Sequence, residues 1–170
     1  MQPPVTIRRI APSDAELLRK VRVRAITDSP SAFGSTLAET EARTFSWWQA
    51  RALQTSTGHD DAIFFAEADG AVVGIAGGYI DWKEQSAPQL ISMWVDPARR
   101  QEGIGRRLVE RVAAWAAAGG HSRLQLWVTE TNTVAISLYE RLGFMHLPDR
   151  QPLPSAPTLM ELKMERFLSG

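Results

Sequence analysis

Two clusters of residues in this chain have the types and spacing to do chemistry. Residues 93–107 read Met-Trp-Val-Asp-Pro-Ala-Arg-Arg-Gln-Glu-Gly-Ile-Gly-Arg-Arg. An apolar strand predicted over residues 90–95 runs into a Pro- and Arg-rich loop that delivers Gly103-Ile104-Gly105 to the start of a helix. The first turn of a helix carries main-chain N–H groups without intrahelical acceptors, at the positive end of the helix dipole, so this turn is a seat for a phosphate or pyrophosphate. A side chain at either glycine could block the close approach of an anion to the main chain. The turn differs from two familiar phosphate loops. No Gly-Lys-Ser/Thr follows it, it has no third glycine, and the loop before it is too long and too charged for a dinucleotide fingerprint. The second cluster reads Asn132-Thr-Val-Ala135-Ile-Ser-Leu-Tyr139-Glu-Arg-Leu-Gly143-Phe144. Asn132 is placed to cap a helix, and Tyr139, two turns further on, lies on the same face. On residue type alone Tyr139 reads as an amphipathic core residue, with its ring buried and its hydroxyl at the surface.

Apolar periodicity supplies the elements that must position these clusters. Residues 5–10 predict a first strand. Ser13-Asp-Ala-Glu16 reads as a capping box, opening a helix whose inner face is Leu17, Leu18, Val21 and Ala25. Residues 28–35, with Pro30 and Gly34, break that helix, and a second one covers residues 45–54 until the polar stretch 55–61. Residues 63–68 and 72–80, joined by Asp69-Gly70, predict an antiparallel hairpin. After the strand at 90–95, the helix from Ile104 buries Leu108, Val112 and Trp115 and stops at Gly119-Gly120. A strand at 124–128 leads to a helix at 133–142 and a turn at Gly143. Pro148, Pro152, Pro154 and Pro157 predict a loop, and residues 159–167 alternate as a final strand. The order βααβββαβαβ predicts one α/β domain over residues 1–170, a mixed sandwich of helices on a largely antiparallel sheet.

Composition narrows the setting. The 170 residues carry 19 basic and 19 acidic side chains, so charge balance points to neither nucleic acid nor an anionic membrane as partner. No apolar run is long enough to span a bilayer and no secretion signal is evident, which predicts a soluble, cytoplasmic chain. There is no cysteine, which excludes disulfides, thiolate zinc sites and a Cys nucleophile. His59, His121 and His146 are scattered without metal-ligand spacing, so no metal is expected.

A strand ending in Val95-x-Pro97, then Arg100-x-x-Gly103-x-Gly105, then Asn132-x-x-Ala135-x-x-x-Tyr139-x-x-x-Gly143-Phe144, resembles the GNAT superfamily of acyl-CoA-dependent N-acyltransferases. The match is detailed over residues 90–147 and holds only in outline over residues 1–60. The resemblance implies a GNAT-like fold, a single N-acetyltransferase domain and acetyl-CoA as co-substrate. It implies that the coenzyme A pyrophosphate rests on main-chain N–H groups of Arg100, Gln101, Gly103, Ile104, Gly105 and Arg106. The pantetheine arm would pair like an added strand with Met93, Trp94 and Val95, which requires that strand to splay from its neighbour. An N–H near Met93 or Trp94 would polarise the thioester carbonyl. Asn132, with Ala135 in register, would hold the pantetheine arm, and Tyr139 would protonate the departing thiolate.

The reaction so implied is direct acetyl transfer to a primary amine, in a small molecule or a peptide, within a ternary complex. Some family members carry a glutamate six residues before the valine that ends the strand. Here that residue is Gln89, and an amide is no base at neutral pH. Base candidates elsewhere are Glu39, Glu41, Asp81, Glu84 and Glu130. Phe33, Trp47, Trp48 and Trp82 are candidates for the acceptor pocket and equally for core packing. Arg99, Arg100, Arg106 and Arg107 cluster beside the predicted seat and would attract a polyanion. A non-catalytic acyl-CoA-binding or regulatory module on the same fold is the alternative, and a phosphate-binding structural domain is a third reading. Dimerisation is common in the family, and the sequence places no interface. A protein N-terminus, a lysine side chain, an amino acid, a polyamine and an aminated antibiotic all stay open as acceptor.

Overall fold

The computed structural model describes residues 3–83 and 87–169, so the candidate base Glu84 lies outside the described residues. Its strands are β1 (Thr6–Arg9), β2 (Asp61–Ala68), β3 (Ala71–Tyr79), β4 (Gln89–Val95), β5 (Arg123–Thr129), β6 (Met145–Leu153) and β7 (Ala156–Phe167). They form one sheet in the order β1-β2-β3-β4-β5-β7-β6. Every neighbouring pair is antiparallel except β4 and β5. The helices are α1 (Ala15–Asp28), α2 (Leu37–Glu41), α3 (Phe45–Thr57), α4 (Ile104–Ala118) and α5 (Thr133–Arg141). The mixed, mostly antiparallel sheet flanked by helices is the architecture the element order predicts.

β2 shows why this sheet forms where it does. Its run Ala62-Ile63-Phe64-Phe65-Ala66 is apolar on both sides, as a strand covered on both faces must be. Ala62, Phe64 and Ala66 pack with Leu108, Val109 and Val112 of α4. Ile63 and Phe65 pack with Leu18 and Val21 of α1 and with Trp48 and Ala52 of α3. The sheet is thus a wall between two cores. β2 and β3 turn at Asp69-Gly70, with φ of 53° and 73°, the positive pair that a two-residue hairpin of matching twist requires.

Several local expectations are corrected. Ser13 does not cap α1: a 3₁₀ turn (Pro12–Asp14) precedes the helix, and Asp14 accepts from the Ala11 N–H (2.7 Å). Asp14 also takes the Arg8 guanidinium (2.7 Å), a charged partner that Ser13 could not hold, while Glu16 turns to Arg19 (2.6 Å). α3 runs on to Thr57 because Arg9 reaches across from β1 to the carbonyls of Thr55 (3.0 Å) and Gly58 (2.5 Å), occupying acceptors that end the helix. A short α2 was not expected, although Thr36 and Glu39 close a capping box around its start (3.1 and 2.8 Å).

The proline-rich stretch expected as a loop is instead the end of β6, a tight turn and the start of β7. Proline is tolerated because β6 is an edge strand, where an N–H facing outward needs no partner. Its ladder with β7 is interrupted between His146 and Arg150, where Pro148 falls, and shifts again after Pro152.

α4 lies close on β3 because β3 offers glycine there. A Cβ at Gly78 would sit 2.5 Å from Trp115 Cζ3, 2.8 Å from Trp115 Cε3 and 3.1 Å from Val112 Cγ1. Gly78→Ala is therefore expected to overpack this interface and lower stability by about 1–3 kcal/mol. Chemical denaturation checks it; an unchanged midpoint would mean that α4 does not approach β3 so closely.

Candidate active site

The site is set by where β4 stops pairing. β4 and β5 run parallel but are in register only at Gln89↔Gln125 and Leu90↔Leu126. From Ile91 to Val95, β4 has no strand on that side among the described residues. The cause lies on its other edge. β3 and β4 pair as Ile75↔Trp94 and Gly77↔Ile91, so Ala76 faces two residues of β4, Ser92 and Met93. This is a β-bulge, with Ser92 in the left-handed region at φ 58°. A bulge bends its strand and increases local twist, which carries β4 away from β5. The splay that could not be read from the sequence is thus accounted for.

Beyond Val95, a 3₁₀ turn (Pro97–Arg99) leads to α4. Gln101 (φ 66°) and Gly103 (φ 78°) both take left-handed conformations, and Gly103 caps α4 without any side-chain bond. The first helical bond is Arg107 N–H to Gly103 O (3.2 Å). Among the described residues, no main-chain N–H from Arg100 to Arg106 has an acceptor. The two glycines serve different ends. A Cβ at Gly103 would meet nothing within 4 Å, so glycine there answers to the backbone angle. At Gly105 a Cβ would lie 3.0 Å from Met93 Cε and 3.2 Å from Leu138 Cδ2. Gly105 is where β4, α4 and α5 meet.

The arginine cluster is largely engaged inside the protein. Arg99 pairs with Glu102 (2.9 Å) and Arg107 donates to Val5 O (2.7 Å). Arg100 donates to Val95 O (3.0 Å) and to Asp28 Oδ2 (2.5 Å). Arg106 alone of the four has no side-chain partner among the described residues. Arg100 therefore also occupies one main-chain acceptor on the free side of β4.

Asn132 caps α5, its Oδ1 accepting from the Ala135 N–H (3.3 Å). Tyr139 is buried, with its ring edge-on to Phe144 (5.7 Å). Among the described residues, the side-chain polar atoms both fully enclosed and unpartnered are Trp48 Nε1 and Gln89 Oε1. The Tyr139 hydroxyl is not one of these and has no bond among the described residues, so it keeps some exposure to solvent. Burial pushes its pKa well up, and the phenol stays protonated.

Trp94 points to the opposite face, into the core under α1. Its Nε1–H donates to Asp28 Oδ2 (2.9 Å), the oxygen that also takes Arg100. Asp28 is the last residue of α1, where the helix dipole disfavours an anion. It is tolerated because it joins α1, β4 and the Arg100 loop, a role that no local sequence signal announced.

On that same face a cavity of about 370 Å³ opens between α1, α2, α3 and β4, lined in part by Arg22, Glu39, Arg43, Trp47, Trp48 and Ser92. Of the aromatic candidates, Trp47 and Trp48 line it. Phe33 is buried under Arg22, and Trp82 is 62% exposed beside His121. Of the described base candidates only Glu39 lines it. Glu130 pairs with Arg150 (2.5 Å), and Asp81 accepts from the Lys83 N–H (3.0 Å). Gln89 is buried in a chain across three strands, donating to Gln125 (3.1 Å), which donates to Glu165 (2.5 Å). Arg22 was missed in the sequence, yet it follows Leu18 by one helical turn and so sits on the inward stripe.

The acetyltransferase (GNAT) family pattern matches residues 23–144. An IAA acetyltransferase of Azospirillum brasilense is 37% identical over 117 residues, covering 68% of this chain and 74% of the relative. A mycothiol acetyltransferase of Thermobispora bispora is 31% identical over 146 residues, covering 82% of this chain and 46% of the relative. The chain spans less than half the length of two of the curated relatives it matches. The structure of yncA, a putative acetyltransferase from Salmonella typhimurium with its cofactor acetyl-CoA, is similar in fold. Its TM-score is 0.74 at 22% identity, over 98% of this chain and 95% of that one.

The Asp28 junction gives a pH-dependent expectation. Burial pushes its carboxyl up, but hydrogen bonds from Trp94, Ser29 and Arg100, with the charge of Arg100, outweigh that and hold it below its ordinary value. A folded-state pKa that is depressed adds stability above the unfolded value of about 3.9, and that stability is lost as pH falls through the folded value. Asp28→Asn should thus melt earlier at neutral pH, by roughly 0.5–1 kcal/mol for a partly exposed junction. The gap to the parent protein should close in acid, once the pH falls below the depressed folded value. Melting curves at both pH values check this, and a gap that persists in acid would assign the loss to packing.

Proposed function

The chain belongs to the acetyltransferase (GNAT) family, and from that premise we propose that it transfers an acetyl group from acetyl-CoA directly to a primary amine within a ternary complex. The observation that carries this reading is the open side of β4 from Ile91 to Val95 beside the unpaired N–H groups of Arg100 to Arg106. A cofactor with a pyrophosphate at one end of an amide-bearing arm needs those two features in that order. When bound, it supplies an acyl group activated as a thioester.

The chain's own groups suit the work that remains. N–H groups of a turn cannot deprotonate or rotate away, so the stretch from Arg100 through Gln101, Gly103, Ile104 and Gly105 to Arg106 is a fixed anion seat. Gly105 keeps the helix end close to Met93, which aligns the seat with the open strand. Met93, Trp94 and Val95 offer main-chain groups to the arm, and an N–H there stabilises charge on the carbonyl oxygen. Asn132 fixes the start of α5, and α5 carries Tyr139 to the opening. Its phenol, held protonated by burial, donates to the sulfur as negative charge develops there. In the net transfer the N–C bond forms as the C–S bond breaks, the nitrogen loses a proton and the sulfur gains one. With no cysteine in the chain, direct transfer needs no acyl-enzyme. Glu39 is the described candidate carboxylate nearest in place to accept the amine proton, because it lines the cavity that reaches β4.

Two substitutions test the reading. Gly105→Glu would press a side chain and a carboxylate between Met93 of β4 and Leu138 of α5, beside the seat, and should weaken coenzyme A binding by more than about tenfold, roughly 1.4 kcal/mol by calorimetry. Unchanged affinity would remove the seat from this turn. Tyr139→Phe should lower turnover about a hundredfold while sparing coenzyme A affinity. Thiol release against pooled amines reads the rate. Binding of coenzyme A with no thiol released by the parent protein would instead favour a non-catalytic module.

A further inference from the structure

The cavity between α1, α2, α3 and β4 carries a charge pattern that holding coenzyme A does not explain. Three of its lining residues are arginines, Arg22, Arg43 and Arg51, and Glu39 is its one acid. Arg51 has Asp61 near it (3.6 Å). Arg43 lies over the Trp47 ring (4.3 Å), and neither it nor Arg22 pairs with a carboxylate among the described residues. The Arg22 guanidinium donates to Ser92 Oγ (2.5 Å) and stacks over Phe33 (4.9 Å). Burial, and secondarily the charge of Arg51, lowers its pKa to about 10, so it is still a cation at neutral pH. A charge drawn partly out of water is ordinarily paired with an opposite one, and among the described residues this one is not. A second donor in the wall is also without a partner: Trp48 is 2% exposed and its Nε1–H is fully enclosed. Unsatisfied groups of this kind are rare in native proteins and call for a reason.

The position of Arg22 supplies one. Its partner Ser92 is the bulge residue of β4, immediately before Met93. An anion held by Arg22 would lie within a residue or two of the strand edge at which the acyl group is expected. We propose that this cavity binds the carboxylate of the amine acceptor, and that the acceptor is a small amino acid whose carboxylate lies on Arg22 with its amine directed at β4. This rests on the transferase reading above. A guanidinium presents a planar fork that matches a carboxylate, and the short span between carboxylate and amine in an amino acid suits an Arg22 that touches Ser92, the residue before Met93. The volume of about 370 Å³ is that of a small-molecule site. The excess of positive charge works against two of the acceptors left open by the sequence, because a polyamine or an aminated antibiotic would bring further cations into a cationic cavity.

The test separates the cavity from the transfer. Binding of free amino acids and of their carboxamides is measured by calorimetry on the full chain, with and without saturating coenzyme A. Thiol release from acetyl-CoA is followed with the same compounds. The acid should bind at least about tenfold more tightly than its amide, as for a site built around one charged partner. Arg22→Met should erase that difference, raising KM for the acid while leaving coenzyme A affinity unchanged. Equal binding of acid and amide by the parent protein, binding of neither, or a preference for polyamines would overturn the proposal without recourse to any variant. Acid-selective binding with no thiol released would uphold the carboxylate site and count against the transferase reading instead.

Discussion

A parallel strand pair that is joined at one end and free at the other must be held apart, because its unpaired N–H and C=O groups would otherwise close into a ladder. In this protein three sets of contacts hold β4 and β5 in that state. At the closed end, the buried Gln89–Gln125–Glu165 chain ties β4 to β5 and β7. In the middle, the Ser92 bulge bends β4 away. At the open end, Arg100 grips Val95 O and Asp28 together, fixing the strand tip to α1. The turn into α4, the placement of Gly105 against Met93 and the reach of α5 all follow from that opening.

The same bulge serves both faces of the sheet. Met93 and Val95 pack on the side of α4 and α5, while Trp94 faces α1 and Ser92 reaches Arg22. One extra residue in β4 thus decides how the strand is presented to an extended ligand on one side and to the helical cavity on the other. The two halves of the proposed reaction thus share a single strand.

Much of this is legible in the sequence alone. The β2–β3 hairpin, α4 and α5, with the Asn132 cap, are dictated by neighbours in sequence: a turn dipeptide, a 3.6-residue stripe, an amide before a helix. What escaped depends on partners far apart in the chain. Asp28 meets Trp94 and Arg100, and Arg22 meets Ser92, across separations that no local pattern encodes. The same holds for Arg9, which extends α3 from β1, and for Asp14, which displaces Ser13 as a cap because Arg8 comes with it. β6 was hidden for a different reason. Pro148 and Pro152 argue against a strand, yet at a sheet edge the argument lapses, and which strand lies at the edge is a property of topology.

The internal engagement of Arg99, Arg100 and Arg107 bears on how a polyanion would find this protein. Four free arginines would project a monopole field, attracting a ligand over a screening length of about 8 Å at physiological salt. With Arg99 and Arg100 paired to carboxylates, the uncompensated charges left at the turn are those of the exposed Arg106 and Arg107, beside a row of N–H dipoles whose field decays faster with distance. Capture at the α4 turn is then decided at contact, by shape and by the direction of hydrogen bonds. Its encounter rate would be less sensitive to ionic strength than four unpaired arginines would make it, since half of that charge is already cancelled.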